Sequence, residues 1–409
     1  MEGRFGLLGE KLGHSYSPRI HSELAGYEYR LYEVERDKVA AFLETTELSG
    51  MNVTIPYKKT VMEACVFLSD TARKMGCVNT LVKRADGWHG YNTDYFGFCS
   101  LVSVSGIEPR GKKVLVLGSG GASNTVCRAL EDLGASEVIV ISRSGENNYD
   151  NIDRHRDAGM IVNTTPVGMY PLNGKSPVEL KAFPMLEGVL DVIYNPARTA
   201  LLLEAEELGI KNAGGLYMLT AQAKKSSELF TGKAINDDVI AEITDRLDKE
   251  SENIVLIGMP GSGKSSIGRE TAKLLGRPFA DADEEIVKAA GKPIPEIFEE
   301  GGEESFRRIE TEVLKELGKR SGTVIATGGG CVTRRENYPL LHQNGRIFWI
   351  RRALDRLPVD GRPVSMSNSL EKLYEQRKAA YESFSDYVVE NDSNVQAAAK
   401  KIVRILEDD

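Results

Sequence analysis

The chain has 409 residues, of which 27% are charged and 41% are hydrophobic, and its formal net charge at pH 7 is −8. This composition excludes a fibrous or intrinsically disordered protein, and the acidic balance without long basic runs argues against a nucleic-acid partner. Because the chain is too long for one ordinary core, we expect about two to three domains.

The N-terminal segment and the cysteines indicate a cytoplasmic protein without a membrane partner. Residues 1–13 mix charges and glycines where a signal peptide needs an apolar core, and no apolar run reaches the ~18 residues of a membrane helix. No Cys-x-x-Cys spacing occurs, which is typical of reduced thiols and not of a disulfide framework or a zinc site. The cysteines are Cys65, Cys77, Cys99, Cys127 and Cys331.

The N-terminal part of the chain predicts alternating strands and helices with polar groups at the strand ends. Strands are expected at residues 4–9, 29–34 and 51–55. Ser17 and Pro18 predict a helix start with Ser17 as the N-cap, and the Ser15 hydroxyl can face the same point. Thr54 and Lys58 follow the third strand, at the kind of strand end where open α/β sheets bind ligands.

A second glycine-rich region predicts a dinucleotide site. A buried strand from Lys113 leads into the turn Gly118-Ser119-Gly120-Gly121-Ala122, whose following helix would receive a pyrophosphate at its N-terminus. Ser123 stands where the usual pattern has a third glycine or an alanine. The next strand ends in Ser142-Arg143-Ser144, and an arginine there accommodates a 2′-phosphate. The sequence therefore favours NADP, with Glu146 as the residue that favours NAD.

Seven motifs occur in the order of one enzyme family. They are Ser15-x-Ser17-Pro18, Asn52-Val53-Thr54-x-Pro56-x-Lys58, Asn79-Thr80, Asn92-Thr93-Asp94, Gly118-x-Gly120-Gly121-Ala122, Asn163-x-Thr165-Pro166-x-Gly168 and Asp191-x-x-Tyr194-Asn195-Pro196. Together they resemble shikimate dehydrogenase over residues 1 to about 245. The resemblance implies a substrate domain at 1–95 plus about 216–245, and a Rossmann domain that binds NADP at 96–215.

The resemblance also implies the site residues. Hydride transfer to a ketone needs a general acid beside the ketone oxygen, and Lys58 can donate that proton while Asp94 orients it. The implied substrate contacts are Ser15, Ser17, Thr54, Asn79, Asp94, Tyr194 and Gln222. The implied NADP contacts are Gly118, Gly120, Gly121, Ala122, Ser142, Arg143 and Ser144.

A phosphate-binding loop opens the second half of the chain, after a charged segment at 246–252 that we take as the linker. An apolar strand from Asn253 runs into Gly-x4-Gly-Lys-Ser at Gly258–Ser265, and a helical pattern follows. The glycines let the backbone turn its N–H groups toward an anion. Lys264 would reach the outer phosphates of a nucleotide, and Ser265 would ligate the magnesium ion.

Further motifs place a substrate beside this loop. Asp281 and Asp283 end a predicted strand, and a second glycine loop, Gly328–Gly330, follows another. A predicted helix buries Phe306, Ile309, Val313 and Leu317. Arg307 and Glu310 lie on another face of that helix, where a solvated ion pair is the alternative to a binding role. Arg362-Pro363 and Arg377-x-x-x-Tyr381 come later in the chain.

These features resemble shikimate kinase across residues 252–409. The implied shikimate contacts are Asp283, Arg307, Gly329, Gly330 and Arg377. The implied ATP contacts are Gly258, Gly261, Ser262, Gly263, Lys264, Ser265, Ser266, Arg356 and Arg362. Magnesium would be held by Ser265 and Asp281. Catalysis would fall to Lys264, to Asp283 as the proton acceptor and to Arg362 on a lid, although Val364-Ser365 replaces the family's two leucines there.

We therefore expect a bifunctional α/β fusion with parallel sheets that reduces 3-dehydroshikimate with NADPH and then phosphorylates the 3-hydroxyl of shikimate with MgATP. One alternative is a catalytically silent sensor of these small molecules, although the four residues that such a copy would lose, Lys58, Asp94, Lys264 and Arg377, are present. The other is an NAD-preferring quinate/shikimate dehydrogenase fused to the kinase. An oligomer is compatible with the sequence, which does not specify one.

Overall fold

The computed structural model describes residues 3–13, 15–357, 370–392 and 394–408. The chain divides into two compact units, Met1–Arg246 and Leu247–Asp409. Each unit is an α/β structure in which the ends of the strands carry the polar motifs.

The first sheet of the first unit contains β1 (Arg4–Gly9), β2 (Glu28–Glu33), β3 (Gly50–Val53), β4 (Cys65–Leu68), β5 (Thr80–Arg84) and β6 (Gly87–Tyr91). Its strand order is β2-β1-β3-β5-β6-β4. The expectation of a parallel sheet is wrong here, because β5 pairs antiparallel with both β3 and β6. Only Ala85 and Asp86 separate β5 from β6, and a connection this short can join only antiparallel neighbours.

The second sheet of the first unit contains β7 (Lys113–Leu117), β8 (Glu137–Ile141), β9 (Met160–Asn163), β10 (Gly188–Asp191) and β11 (Lys211–Ala213). Its order is β11-β10-β9-β7-β8, and every described pair is parallel. Val114 and Val116 pack into one core cluster while Leu115 and Leu117 pack into another. The continuous apolar run of β7 is thus explained by burial on both faces of the sheet.

The helices that begin in the first unit are α1 (Ser17–Leu24), α2 (Val39–Thr45), α3 (Asp70–Met75), α4 (Asp94–Ser105), α5 (Gly121–Asp132), α6 (Ala200–Glu207), α7 (Leu216–Thr231) and α8 (Asp238–Ser251). Helix α7 packs against α4 and against α1. Phe98 and Leu101 of α4 share a cluster with Met218 of α7, while Phe230 of α7 packs with Phe5 and Val82 of the first sheet. Helix α7 therefore contributes to the cores of both sheets.

The second unit has one parallel sheet, made of β12 (Asn253–Ile257), β13 (Phe279–Asp281), β14 (Val324–Ala326), β15 (Gly345–Arg351) and β16 (Tyr387–Glu390). Its order is β13-β14-β12-β15-β16. Its helices are α9 (Lys264–Leu275), α10 (Ala282–Ala290), α11 (Ile294–Gly318), α12 (Asn337–His342), α13 (Leu370–Phe384) and α14 (Val395–Asp408). The long α11 is interrupted at Gly302, whose φ is 68°.

The segment expected as a linker, residues 246–252, continues helix α8 as far as Ser251. The division between the units falls after Arg246, at the beginning of this segment. The buried residues of this helix have helical spacing: Ile240, Ile243 and Leu247. This apolar periodicity extends into the segment that we expected to be a linker. Charged neighbours hide this spacing when the residues are examined one by one.

Among the described residues, no helix is both long and apolar enough to cross a bilayer.

Candidate active sites

The first candidate site begins at the start of α1. The helix starts at Ser17 itself, and its N-cap is Tyr16, so the expectation of Ser17 as the N-cap is wrong by one residue. The Ser15 hydroxyl accepts a hydrogen bond from the Ser17 backbone N–H at 3.2 Å and takes over the capping contact. Ser17 is buried and Ser15 is partly buried, so the serine pair stands at the helix N-terminus as expected.

Lys58 and Asp94 form an ion pair at the carboxyl ends of their strands. The Lys58 Nζ lies 2.6 Å from the Asp94 Oδ2, and the two side chains are 19% and 11% exposed. Lys58 follows β3, whereas Asp94 begins α4, so two separate elements bring the charges together. A lysine and a carboxylate in hydrogen-bond contact can pass a proton to a bound oxygen and keep the ammonium oriented.

Asn79 holds the other oxygen of Asp94. Its Nδ2 donates to the Asp94 Oδ1 at 2.8 Å and to the Thr93 Oγ1 at 2.9 Å, while its Oδ1 accepts from the Thr93 backbone N–H at 2.7 Å. Gln222 of α7 approaches the same amide, with its Oε1 3.4 Å from the Asn79 Nδ2. Three expected substrate contacts, Asn79, Asp94 and Gln222, are thus connected.

A buried polar layer beneath these residues was missed as part of the site. The Asn52 Nδ2 donates to the Ser226 Oγ at 2.7 Å and to the Thr80 Oγ1 at 3.1 Å, and the Ser226 Oγ lies 3.0 Å from the Thr93 Oγ1. Ser226 lies four residues after Gln222 on α7, so the helical period gives a signal that could have identified it. This layer supports the residues that would face the substrate.

The same layer continues to α1. The Tyr29 hydroxyl donates to the Asn52 Oδ1 at 2.8 Å, and the His21 ring stacks on Tyr29 with centroids 4.0 Å apart. The His21 Nδ1 lies 2.6 Å from the Tyr27 hydroxyl. Burial lowers the pKa of His21 to about 3, so this imidazole is neutral at pH 7.

Thr54 and Tyr194 complete the expected substrate contacts. Thr54 follows β3 and is joined to β1 by a backbone hydrogen bond to Leu8 of 2.9 Å. Tyr194 follows β10 of the second sheet, yet its ring centroid lies 5.5 Å from that of Tyr16. Tyr16 is the residue between Ser15 and Ser17. Burial raises the pKa of the Tyr194 hydroxyl, which therefore stays protonated at pH 7 and can donate a hydrogen bond.

The glycine turn after β7 leaves space for a ligand. Gly118 has a φ of 104°, which favours glycine, and a side chain there would press on Thr164 and Thr165. Among the described residues, no atom lies within 4 Å of where a Cβ would stand at Gly120 or Gly121. Helix α5 begins at Gly121, so its free N–H groups and the open glycines form a cradle that fits a pyrophosphate.

Ser123 and Ala122 occupy the first turn of α5. Ser123 is buried, and its Oγ lies 3.9 Å from the Cys127 Sγ, so the small serine fits where the usual pattern has glycine or alanine. Ser142, Arg143 and Ser144 follow β8 directly, and Arg143 is exposed. Within the described part of the chain, Arg143 makes no hydrogen bond or ion pair, so its guanidinium is available to a phosphate.

A buried carboxylate shapes the loops at the ends of β9 and β10. Asp191 accepts hydrogen bonds from the Asn163 Nδ2 at 3.1 Å, from the Ile193 N–H at 3.0 Å and from the Thr199 hydroxyl at 2.8 Å. Burial raises the pKa of Asp191 to about 6, against these hydrogen bonds. The motif residues Asn163 and Asp191 therefore fix the backbone, and neither is presented to a ligand.

The second candidate site is built on the loop after β12. Gly258, Gly261 and Gly263 have φ values of 144°, 82° and 97°, which only glycine adopts readily. The Lys264 ammonium donates to the carbonyl oxygens of Gly258 at 2.9 Å and Met259 at 3.0 Å, so it lies over the loop. Helix α9 begins at Lys264, and the loop has the form expected of a nucleotide phosphate site.

A cavity of about 590 Å³ joins this loop to the second group of motifs. The expected residues that line it are Gly261, Gly263, Lys264, Ser265, Ser266, Asp283, Arg307, Gly329, Gly330 and Arg377. The Arg377 Nη1 and the Tyr381 hydroxyl both donate to the Gly329 carbonyl, at 3.1 and 2.5 Å. The phosphate loop and the arginines expected to bind a carboxylate therefore face one space.

Arg307 and Glu310 are buried, so the alternative of a solvated pair is wrong. Their side chains are 7% and 0% exposed, and the Arg307 Nη1 donates to the Glu310 Oε2 at 2.7 Å. The Arg307 Nη2 also donates to Glu303 at 3.0 Å. Burial raises the pKa of Glu310, against the opposing effect of Arg307, and the Glu310 Oε1 has no hydrogen-bond partner among the described residues.

The remaining expected contacts lie at different places. Asp281 caps α10 by accepting a hydrogen bond from the Asp283 N–H at 3.0 Å, and it does not line the cavity. Ser262 belongs to the phosphate loop, but its side chain is buried and it is not among the lining residues. Arg356 is exposed, its Nη1 donates to the carbonyl of Asp392 at 2.6 Å, and it is not among the residues that line the cavity. Arg362 lies outside the described residues.

Comparison with protein-family models gives two matches. The model of the shikimate dehydrogenase substrate binding domain matches residues 7–81. The shikimate kinase model matches residues 260–407, which include the phosphate loop from Pro260 onward and the residues that line the cavity of the second unit.

Known proteins resemble the first part of the chain. The shikimate dehydrogenase (NADP(+)) of Clostridium perfringens strain 13 is 33% identical over 264 residues, which are 59% of this chain and 97% of that protein. The crystal structure of a chorismate mutase/shikimate 5-dehydrogenase fusion protein from Clostridium acetobutylicum has a TM-score of 0.58 at 37% identity, covering 61% of this chain and 98% of that chain. Shikimate 5-dehydrogenase from Thermus thermophilus in complex with NADP(H) and shikimate has a TM-score of 0.54 at 30% identity, covering 59% and 98%.

Proposed function

The chain belongs to the shikimate dehydrogenase family and continues into a shikimate kinase domain, and on this premise we propose how its residues carry two successive reactions. The first reduces 3-dehydroshikimate to shikimate with NADPH. The second transfers a phosphoryl group from MgATP to the 3-hydroxyl of shikimate. The product of the first reaction is the substrate of the second, so one chain converts 3-dehydroshikimate to shikimate 3-phosphate.

The Lys58–Asp94 contact of 2.6 Å carries the proposal for the reduction. NADPH supplies a hydride when it is bound. The Lys58 ammonium then protonates the ketone oxygen as negative charge develops on it, while Asp94 keeps the ammonium in position. Ser15, Ser17, Thr54 and Tyr194 hold the carboxylate of the substrate, and Asn79 and Gln222 hold its hydroxyls.

We assign NADP to the glycine cradle and the basic turn of the second sheet. Gly118, Gly120, Gly121 and Ala122 receive the pyrophosphate, because the cradle is open and N–H groups of α5 point into it. Arg143 binds the 2′-phosphate between Ser142 and Ser144. Residues 96–215 accordingly form the NADP domain, and residues 1–95 with about 216–245 form the substrate domain.

The shared cavity carries the proposal for the kinase reaction. Arg307 and Arg377 bind the shikimate carboxylate with Gly329 and Gly330, since guanidinium groups bind carboxylates through two parallel hydrogen bonds. Asp283 accepts the proton of the attacking hydroxyl. MgATP supplies the phosphoryl group when it is bound, and Gly258, Gly261, Ser262, Gly263, Lys264, Ser265 and Ser266 hold its phosphates. Ser265, which lines the cavity, holds the magnesium, whereas the expected second ligand, Asp281, caps α10 and is not among the lining residues.

The substrates and the surroundings follow from the same proposal. The reactants are small molecules, and the net charge of −8 gives no basis for a nucleic-acid partner. All five cysteines are free, which fits a reducing compartment, and we place the protein in the cytoplasm.

One incubation tests both reactions. Purified protein receives 3-dehydroshikimate, NADPH, ATP and magnesium, and the products are identified by mass spectrometry with and without ATP. We expect shikimate 3-phosphate in the first case and shikimate in the second. If neither product forms while the protein binds shikimate, the chain is a silent sensor and the proposal is wrong.

A further inference from the structure

The phosphate side of the kinase cavity contains an arginine that the sequence analysis did not assign. Arg352 follows β15 and lines the cavity together with Gly261, Gly263 and Lys264 of the phosphate loop. Arg356, expected as an ATP contact, donates to the Asp392 carbonyl and is not among the lining residues. Within the described part of the chain, Arg352 is therefore the arginine after β15 that lines the cavity.

The fold holds Arg352 against the phosphate loop. Strands β12 and β15 are parallel neighbours, with Ile257 opposite Trp349, so both strands end at the same edge of the sheet. Gly258 packs so closely on the Ile350 carbonyl that a Cβ would not fit. Arg352 comes two residues after Ile350, and its Nη1 donates to the Gly261 carbonyl at 3.3 Å.

The guanidinium of Arg352 has unused hydrogen-bonding capacity. Its Nε is buried and has no hydrogen-bond partner among the described residues, and the side chain makes no ion pair there. By contrast, the neighbouring Arg351 pairs with Glu390, and Arg307 pairs with Glu303 and Glu310. A buried N–H group without an acceptor is destabilising, and an anionic ligand in the cavity would supply the acceptor.

We propose that Arg352 binds the inner phosphates, α and β, of the nucleotide in the kinase reaction. The inference rests on the proposed kinase function. The backbone N–H groups of such a loop surround the α- and β-phosphates, and Arg352 is attached to that loop at Gly261. A guanidinium binds phosphate through parallel N–H bonds, so the Nε and a terminal nitrogen together contact the phosphate oxygens.

Equilibrium binding of MgADP and MgATP to the full chain, measured by calorimetry, tests this role. We expect Arg352→Met to weaken both ligands by about 10–100-fold, the loss of one or two charged hydrogen bonds. Arg352→Lys should recover part of the affinity, because lysine keeps the charge but lacks the planar fork. Arg351→Met is the matched control and should bind both nucleotides like the wild type, since Arg351 pairs with Glu390 outside the cavity.

Equal affinities of Arg352→Met and Arg351→Met would overturn the inference. A loss for MgATP alone would also overturn it, because the inner phosphates are common to both ligands. If Arg352→Met does not fold by circular dichroism, Arg352→Lys decides, with a several-fold loss expected and wild-type affinity contradicting the role. Failure of the kinase function would look different: nucleotide binding would depend on Arg352, but no shikimate 3-phosphate would form.

Discussion

Lys58 and Asp94 illustrate how single residues acquire a role from their surroundings. Each is an ordinary charged residue when it is taken alone, and the motifs around them imply a catalytic pair only through the resemblance to shikimate dehydrogenase. In the structure the pair is mostly buried, and Asp94 accepts a hydrogen bond from Asn79, which also donates to Thr93 and Gln222. The surrounding layer fixes the direction of the ammonium, which a general acid requires.

Replacing Lys58 by alanine removes the proposed general acid. We expect kcat for 3-dehydroshikimate reduction to fall by about 10²–10⁴-fold, the usual contribution of general acid catalysis. Lys59→Ala is the matched control, because Lys59 is the exposed neighbour. Steady-state kinetics with NADPH measures both variants. If the kcat of Lys58→Ala equals that of Lys59→Ala, another group must donate the proton to the ketone oxygen.

Replacing Arg143 by alanine tests the preference for NADP. We expect KM for NADP to rise by about 10-fold or more, the loss of a charged hydrogen bond, while KM for NAD changes little. Arg154→Ala, at another exposed arginine of the first unit, is the control. If both cofactors lose affinity equally, or if the wild type already prefers NAD, the quinate-type alternative with Glu146 gains support.

His21 makes the first unit sensitive to acid. Its folded pKa of about 3 lies below its ordinary value of 6.5, so the unfolded chain binds more protons between these pH values. The free energy of unfolding should therefore fall as pH drops below 6.5, by about 1.4 kcal/mol per pH unit from this group until pH approaches 3. His21→Gln cannot take up that proton, so urea unfolding of this variant should depend less on pH. An unchanged pH dependence would contradict the buried neutral imidazole.

At the scale of elements, the loop Gly328–Gly330 shows how backbone and side chains share a space. A Cβ at Gly330 would overlap the Arg307 guanidinium, and one at Gly329 would touch Pro260. The phosphate loop and α11 therefore both pack closely against this glycine loop because these positions lack side chains. The Gly-Gly-Gly run marked the loop in the sequence, but it did not identify what packs against it.

Gly330→Ala should impair the kinase selectively. The added methyl group would displace Arg307 from its contact with Glu310, so we expect KM for shikimate to rise by about 10–100-fold, the loss of a charged bidentate contact. Kinase assays over a range of shikimate concentrations measure the effect. Reduction of 3-dehydroshikimate by the same sample is the internal control and should not change. If Gly330→Ala has the wild-type KM for shikimate, Arg307 can be displaced without weakening the binding of shikimate.

The β5–β6 hairpin marks a limit of element prediction. Asp86-Gly87 lies between two apolar runs, which is a hairpin signal, yet the alternating strand and helix pattern around it favoured a parallel sheet. The antiparallel pairing brings Asn79, which precedes β5, next to Thr93, which follows β6, so that the Asn79 Nδ2 donates a hydrogen bond to the Thr93 Oγ1. Short-range turn chemistry decided the topology here, against the trend of the longer segment.

At the scale of the whole molecule, each unit contains the residues proposed for one reaction. The Lys58–Asp94 pair lies in Met1–Arg246, and the cavity with Lys264 lies in Leu247–Asp409. The two sets share no residue. A variant in one set should therefore leave the other reaction intact.

A mixture of two inactive variants tests this separation. Lys58→Ala should block reduction and Lys264→Met should block phosphorylation, because each removes a group that acts on the reacting atoms. We expect that neither variant alone converts 3-dehydroshikimate to shikimate 3-phosphate, and that the mixture does so at a rate that rises with concentration. Mass spectrometry of the products measures this. An inactive mixture would show that both reactions require one intact chain.

The sequence by itself determined the local devices and the family. Each of these devices is short, because it depends on the backbone freedom or the side-chain spacing of a few adjacent residues. They are the phosphate loop, the glycine turn before α5, and the motifs that contain Lys58 and Asp94. From these devices followed the α/β class, the two enzymes and the cofactors NADP and ATP. The site roles remain predictions that the geometry supports.

Only the tertiary structure decided which distant residues meet. Asn52 and Ser226 are separated by 174 positions, and Glu310 is a charged helical residue that no local pattern marks as buried. Arg352 lies beside the phosphate loop because β15 ends against Gly258. Burial and contact between distant segments arise from the packing of all elements at once, so no stretch of sequence specifies them alone.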